Sequence, residues 1–157
     1  MLVSSLFAVT MANADTVAAL AEKGRLLGRW AQDCSKPPAY NNLHQTYEAL
    51  NDGSVRSALC SGEYVDSNTN KPAIINIALV VHIDILTPTK IAMQLLDVAS
   101  TNHGTALRYE VIVEIKNDRL IWFQSILANG EVVYKDGQSV MPRRPSPVFL
   151  RCSEPSS

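Results

Sequence analysis

Alternation of apolar and polar residues runs through most of this 157-residue chain and predicts a protein made mainly of β-strands. The clearest stretch is residues 107–116, where apolar side chains occupy every second position and Ile112 breaks the intervening polar set. A period of two indicates a strand with one packed face and one face in water. Residues 119–128 follow after a tight turn at Asn117 and Asp118, so we expect these two strands to form a hairpin.

Turn sequences divide the rest of the chain into further strands. The Asn129-Gly130 pair, in which both residues accept positive φ, predicts a hairpin between residues 119–128 and 131–135. Turns at residues 51–53 and 87–89 join residues 44–50 to 54–62 and residues 73–86 to 90–98. A strand that opens at Gly28 and a last strand at residues 148–152 complete the set.

These eight or nine strands predict one antiparallel meander. Tight turns connect most of them, and no segment between them has the pattern of a crossover helix. Because a meander leaves two exposed edges, we expect it to close into a barrel over residues 28–153. Residues 15–27 predict one short N-terminal helix, capped by Asp15 or Thr16, and residues 154–157 predict a flexible tail. The predicted fold class is therefore all-β.

Residues 1–14 are mostly apolar, carry no charged side chain and end in Ala12-Asn13-Ala14. This small-x-small ending is the form that a signal peptidase cuts, so the segment predicts an export signal. The alternative is a buried N-terminal strand or helix of a cytosolic domain. The segment is too short to span a bilayer, which needs ~20 apolar residues, so no transmembrane segment is predicted. The expected location is the bacterial periplasm or the exterior.

Three cysteines, Cys34, Cys60 and Cys152, allow three different single disulfide bonds. An oxidising compartment favours one such bond. We expect Cys34 to pair with Cys152, because the first follows the opening strand, the second ends the last strand, and those strands become neighbours when the sheet closes. Cys60 would then be the odd thiol, as a small buried residue or, alternatively, a reactive one.

The charge balance excludes one class of partner. Fourteen lysines and arginines against fifteen acidic residues give a net charge of −1, whereas nucleic-acid binding needs a basic surplus. The Arg143-Arg144 pair lies between prolines and is interpreted as a solvated bend. The sequence contains no glycine-rich phosphate loop, and no cofactor is predicted.

His82 and Asp84 are the candidate residues for catalysis. They lie two apart on one predicted strand, so their side chains share a face and the carboxylate could orient the imidazole of a general base. The sequence places no serine or cysteine nucleophile beside them, which favours a polar surface pair. His44 could join them in binding a metal ion, but these residues do not have the spacing of a standard metal-ligand motif. No metal site is therefore predicted.

Apolar residues occur on both phases of the central strands, for example Ile112 beside Val111. Such strands need cover on both faces, unless one face lines an apolar cavity or forms a partner surface. An eight-stranded barrel is just wide enough to hold one small ligand. We therefore predict an apolar ligand site, whose candidate lining residues are Met93, Tyr109, Trp122 and Phe123.

The Gly28-Arg29-Trp30 sequence, directly after the predicted helix, resembles the Gly-x-Trp signature that opens the lipocalin and wider calycin barrels. The resemblance implies structural roles for Gly28 and Trp30, with the tryptophan packed under the closed end of the barrel. It also implies that Arg151 covers Trp30 through a cation–π contact. The wider outline of the chain is similar to small uncharacterised exported bacterial proteins, which implies no particular function.

These features together predict an exported, non-enzymatic binding protein that holds a small apolar or amphipathic ligand inside the barrel. The alternative is a protein-interaction module, such as the secreted-protease inhibitors among small calycin-like barrels, with residues 15–24 and 35–42 as its contacts. An enzyme that uses His82 and Asp84 is the third hypothesis.

Overall fold

The computed structural model describes residues 15–65, 72–98 and 108–153. The predicted export signal at 1–14 and the predicted tail at 154–157 lie outside the described residues. The described part of the chain contains one helix, α1 at Val17–Lys23, and eleven strands in one sheet. The strands are β1 Gly28–Ala31, β2 His44–Ala49, β3 Val55–Val65, β4 Pro72–Thr87, β5 Lys90–Asp97, β6 Arg108–Lys116, β7 Arg119–Leu127, β8 Val132–Lys135, β9 Gln138–Ser139, β10 Arg144–Pro145 and β11 Val148–Arg151.

Eight of these strands close into an antiparallel barrel. Strands β1 to β7 are neighbours in chain order, and β11 pairs with β7 on one side and with β1 on the other. At this closing seam Trp30 lies opposite Arg151, and Phe149 lies opposite Leu120. The predicted all-β class, the antiparallel closed barrel and the short N-terminal helix are thereby confirmed.

The strand predicted at residues 131–135, which is β8, lies outside the closed barrel. β7 is nine residues long, and its first part pairs with β11 while its second part pairs with β8. β8, β9 and β10 therefore form an extension beside β7. β9 and β10 have two residues each, which is too short for an alternating pattern to predict.

Helix α1 is shorter than the predicted 15–27. Its start is capped by Thr16, whose Oγ1 accepts a hydrogen bond from the Ala19 amide at 3.1 Å. It ends at Lys23 because Arg25 adopts a left-handed conformation (φ 57°), which stops the helical repeat. Gly24 permits a close approach at this point, because a Cβ there would lie 2.5 Å from Ile91 Cδ1.

The α1 end of the barrel is closed around Trp30, which is fully buried. Its indole nitrogen donates a hydrogen bond to Leu26 O at 2.9 Å. The Arg151 guanidinium lies 4.1 Å from the centre of the Trp30 ring and donates to Leu27 O at 2.8 Å. The structure therefore contains the expected cation–π contact. Gly28 adopts φ +118°, and a Cβ there would lie 3.4 Å from Arg151 Nη1.

A disulfide bond joins Cys34 to Cys152, as predicted, across 118 residues. Cys34 follows β1 and Cys152 follows β11, so the bond locks the closing seam of the barrel. In the chain-entropy model, a loop of this length stabilises the fold by about 4–5 kcal/mol. Cys60 lies outside this bond, and burial raises the pKa of its thiol, which disfavours a reactive thiolate.

Two β-bulges explain part of the two-phase apolar pattern. In β4, Val81 is an extra residue between two pairs with β5. The buried phase changes there from Val80 to Ile83, and Val81 itself is 41% exposed. In β7, Phe123 is the extra residue opposite β6. Because a bulge shifts the alternation by one residue, apolar side chains on both phases do not by themselves require two covered faces.

Candidate functional site

The barrel interior is filled at one end and holds a cavity at the other. At the α1 end, buried side chains such as Trp30, Val113 and Phe149 pack against one another. At the opposite end, β2 to β8 enclose a cavity of about 650 Å³. The described residues that border it are Gln45, Tyr47, Ser57, Leu59, Asn76, Met93, Leu95, Asp97, Arg108, Tyr109, Val111, Trp122, Ser125, Leu127, Ala128, Asn129 and Tyr134.

Most of the cavity wall is apolar. Met93 and Val111 contribute buried aliphatic surface from β5 and β6. Trp122 adds an aromatic surface that makes an edge contact with Tyr134, with ring centres 5.3 Å apart, and a tilted contact with Phe149 at 5.1 Å. Such aromatic contacts favour specific ring orientations. The apolar part of the wall is therefore held in place by the packed core beneath it.

A chain of hydrogen bonds forms the polar part of the wall. The Tyr109 hydroxyl donates to Asn76 Oδ1 at 3.1 Å, and Asn76 Nδ2 donates to Asp97 Oδ2 at 3.2 Å. Burial, and then the nearby Asp97 carboxylate, raise the pKa of Tyr109 to about 12, although the Asn76 hydrogen bond acts in the opposite direction. Tyr109 is therefore a neutral phenol at physiological pH.

Tyr47 is the second phenol of this polar wall. It is only 3% exposed, and its hydroxyl makes no hydrogen bond with any group in the described part of the chain. Burial is the main cause that raises the pKa of Tyr47, and the neighbouring Tyr109 adds to it. The cavity wall thus contains a neutral hydroxyl group that can donate a hydrogen bond to a molecule inside the cavity.

The structure places three of the four predicted lining residues in the cavity wall: Met93, Tyr109 and Trp122. Phe123 is not among the described residues that border the cavity. It is the bulged residue of β7, and the Lys90 ammonium lies 3.5 Å from the centre of its ring.

Sequence reasoning missed Tyr47, Asn76 and Asp97. These residues lie on β2, β4 and β5, and the Tyr109–Asn76 hydrogen bond joins positions 33 apart in the chain. No local spacing connects them, because their proximity depends on the order and register of the strands. The one sequence signal is that Asn76 interrupts a long apolar strand.

His82 and Asp84 do form a pair, but outside the cavity. His82 Nε2 lies 3.1 Å from Asp84 Oδ2, and both side chains are more than half exposed. They border a hollow of about 150 Å³ on the barrel surface, together with Gln94, Glu110 and Gln124. The described residues around this hollow include no serine or cysteine that could act as a nucleophile.

His44 is a buried residue that anchors the loop after β1. Its Nε2 lies 3.1 Å from both Asn42 Nδ2 and Lys36 O. Burial is the main cause that lowers the pKa of His44. Among residues 15–65, 72–98 and 108–153, no three His, Cys, Asp or Glu side chains are placed to hold a metal ion.

Comparisons of the chain with protein-family models, with curated proteins and with solved structures find no match. None of the helices in the described residues is long and apolar enough to cross a membrane. The candidate site is therefore defined by its geometry, as a mainly apolar cavity with one polar cluster.

Proposed function

We propose that this protein binds one small, mainly apolar molecule inside the barrel. The observation that carries the proposal is the cavity of about 650 Å³ at the end away from α1. Small-molecule sites have volumes of ~300–1,000 Å³ and combine an apolar lining with a few polar groups. Met93, Tyr109 and Trp122 are the proposed contacts, and Tyr47 joins them.

A cavity of this size is unusual in a protein unless it has a function. Protein interiors are normally packed with few voids larger than a water molecule. The α1 end of the same barrel is packed with Trp30 and Phe149, so the barrel radius does not prevent filling. These observations favour a cavity kept for a ligand.

A neutral, environment-sensitive dye tests the proposal. Nile red is titrated into the protein and excited directly in the visible range. We expect saturable binding with a rise in emission, because the dye leaves water for an apolar wall. Ser125→Trp should abolish this binding, because it places a large ring in the cavity wall. Ser139→Trp is the matched control, since Ser139 lies on β9 and outside the wall.

The dye experiment has a clear negative result. If Nile red does not bind, or binds equally to folded Ser125→Trp and Ser139→Trp, the cavity is not a ligand site. Circular dichroism and thermal unfolding of both variants establish that they are folded.

We further propose a lipocalin-like barrel that works outside the reducing cytosol. The closed eight-stranded barrel and the Trp30–Arg151 contact support the resemblance of Gly28-Arg29-Trp30 to the calycin signature. The Cys34–Cys152 bond is compatible with a periplasmic or secreted protein, because disulfides persist in oxidising compartments. The mass of the intact protein, isolated from the periplasm or the medium, tests the proposed export. We expect the mass of a chain that begins at Asp15.

A second candidate function is protein interaction through residues 35–42. The two N–H groups of Asn42 Nδ2 face Asp33 O, Lys36 O and Pro37 O at 2.9–3.2 Å, so this loop is held in one conformation. The loop also exposes 73% of Tyr40, and rigid aromatic side chains are common at interface hot spots. A partner that binds the unaltered protein but not Tyr40→Ala would support this function; equal binding would contradict it.

A further inference from the structure

The polar cluster of the cavity has a fixed direction of hydrogen bonding. The Asp97 carboxylate accepts from Asn76 Nδ2, which turns Asn76 Oδ1 toward the Tyr109 hydroxyl. Tyr109 uses its only hydroxyl proton in that bond, so its oxygen is left as an acceptor. Tyr47 has the opposite role, because its hydroxyl proton has no acceptor in the described part of the chain.

The cavity therefore presents one donor and one acceptor inside a mainly apolar wall. We propose that the ligand carries an uncharged hydroxyl group, which accepts a hydrogen bond from Tyr47 and donates one to Tyr109, on an apolar body that lies against Met93 and Trp122. This inference rests on the proposed function and adds the chemical class of the ligand. It assigns Tyr47 as a specificity-determining residue.

Charge at this position is disfavoured for two reasons. The negative charge of Asp97, which opposes ionisation of Tyr109, would also oppose a carboxylate beside it. An ammonium group would lose its hydration against the apolar wall, and its N–H donors would leave the Tyr47 proton without an acceptor. A hydroxyl group satisfies both phenols with no charge to desolvate. Arg108 and Asp97 are the charged side chains in the described part of the wall.

Three probes of equal chain length test the inference: octanol, octanoate and octylammonium at neutral pH. Each one competes with bound Nile red, whose affinity is measured separately for every variant. We expect octanol to bind the unaltered protein about tenfold or more tightly than either charged probe. Tyr47→Phe, which keeps the ring but removes the hydroxyl group, should weaken the binding of octanol roughly fivefold. Ser139→Ala removes a hydroxyl group outside the cavity wall and should leave every affinity unchanged.

Several outcomes would overturn the inference. These are failure of octanol to displace the dye, equal or tighter binding of octanoate or octylammonium, and unchanged octanol binding by folded Tyr47→Phe. In each case the dye still binds, so the proposed function stands. Absence of dye binding by the unaltered protein would instead overturn the proposed function. If Tyr47→Phe does not fold, the ranking of the three probes on the unaltered protein decides alone.

Discussion

The two ends of the barrel are formed by the same strands but differ in how their interior is used. At the α1 end, Trp30 and Phe149 are fully buried, Arg151 covers Trp30, and a disulfide locks the seam. At the other end, the strands enclose about 650 Å³ between an apolar wall and a short hydrogen-bonded chain. The difference indicates that the α1 end supplies most of the packing energy, whereas the other end keeps an unfilled space, which we propose holds a ligand.

Replacing one tryptophan at each end of the barrel should give the largest effects. It should separate the packing role of the α1 end from the proposed binding role of the other end. Trp30→Ala removes a buried ring and its hydrogen bond to Leu26, so the free energy of unfolding should fall by about 3–5 kcal/mol. Trp122 lies in the cavity wall, so Trp122→Ala should lower the free energy of unfolding by less than Trp30→Ala does. Trp122→Ala should also abolish dye binding. Urea unfolding and Nile red titration measure the two effects. Equal losses of stability would contradict the division between the ends.

Removal of the disulfide should sharpen the comparison. Cys34→Ser combined with Cys152→Ser should lower the free energy of unfolding by about 2–5 kcal/mol. The dye affinity of the folded fraction should stay unchanged, because neither cysteine belongs to the cavity wall. Cys60→Ala, which leaves the bond in place, is the control. A loss of dye affinity in the folded double variant would show that the two ends are coupled.

The contact between α1 and the barrel predicts a smaller effect. Gly24→Ala places a Cβ against Ile91 Cδ1 and should destabilise the protein by about 1–3 kcal/mol. Ile91→Val removes that terminal carbon, so the double variant should lose less stability than the sum of the two single variants. Thermal unfolding of the three variants measures this. Simple additivity would mean that α1 does not pack as closely as described.

The smallest effect is the pH dependence that His44 gives to the stability of the protein. Burial lowers its pKa in the folded state below the ordinary 6.5, so the unfolded chain binds a proton first. The free energy of unfolding should therefore begin to fall as the pH drops below about 6.5. His44→Gln should remove this part of the pH profile, and urea unfolding between pH 7 and pH 5 tests it. An unchanged profile would contradict the assignment.

A separate loss of stability is expected at more acidic pH. Hydrogen bonds from Lys36 and Ser35 lower the pKa of Asp33 from 3.8 to about 2. The stabilisation by this carboxylate is complete above its unfolded pKa and disappears as the pH falls from about 4 to about 2. Asp33→Asn should flatten this lower window and leave the His44 window in place.

The fold was largely predictable because its signals are local. The alternation in residues 107–116 defines β6, and the Asn117-Asp118 turn, with φ of 53° and 56°, joins it to β7 as expected. The Cys34–Cys152 pairing followed from a closed sheet whose first and last strands meet. Each of these inferences depends on neighbouring residues or on one simple rule of topology.

The cavity was only partly predictable because its geometry is not local. The bulges at Val81 and Phe123 depend on how neighbouring strands pair, and alternation alone does not reveal them. The sequence alone therefore did not show which of Trp122 and Phe123 borders the cavity. Tyr47 and Asn76 border the cavity because of the order in which the strands pair, and no spacing in the sequence links them to Tyr109.

The most direct test of the ligand site uses the two tryptophans of the protein, one at each end of the barrel. Their indole N–H resonances are followed by NMR while Nile red is added, with Trp122→Phe used to assign the signals. We predict that the Trp122 resonance shifts to saturation, because its ring lines the cavity, and that the Trp30 resonance stays in place. A dye that binds without moving Trp122, or that moves Trp30 instead, would contradict a ligand site at the open end.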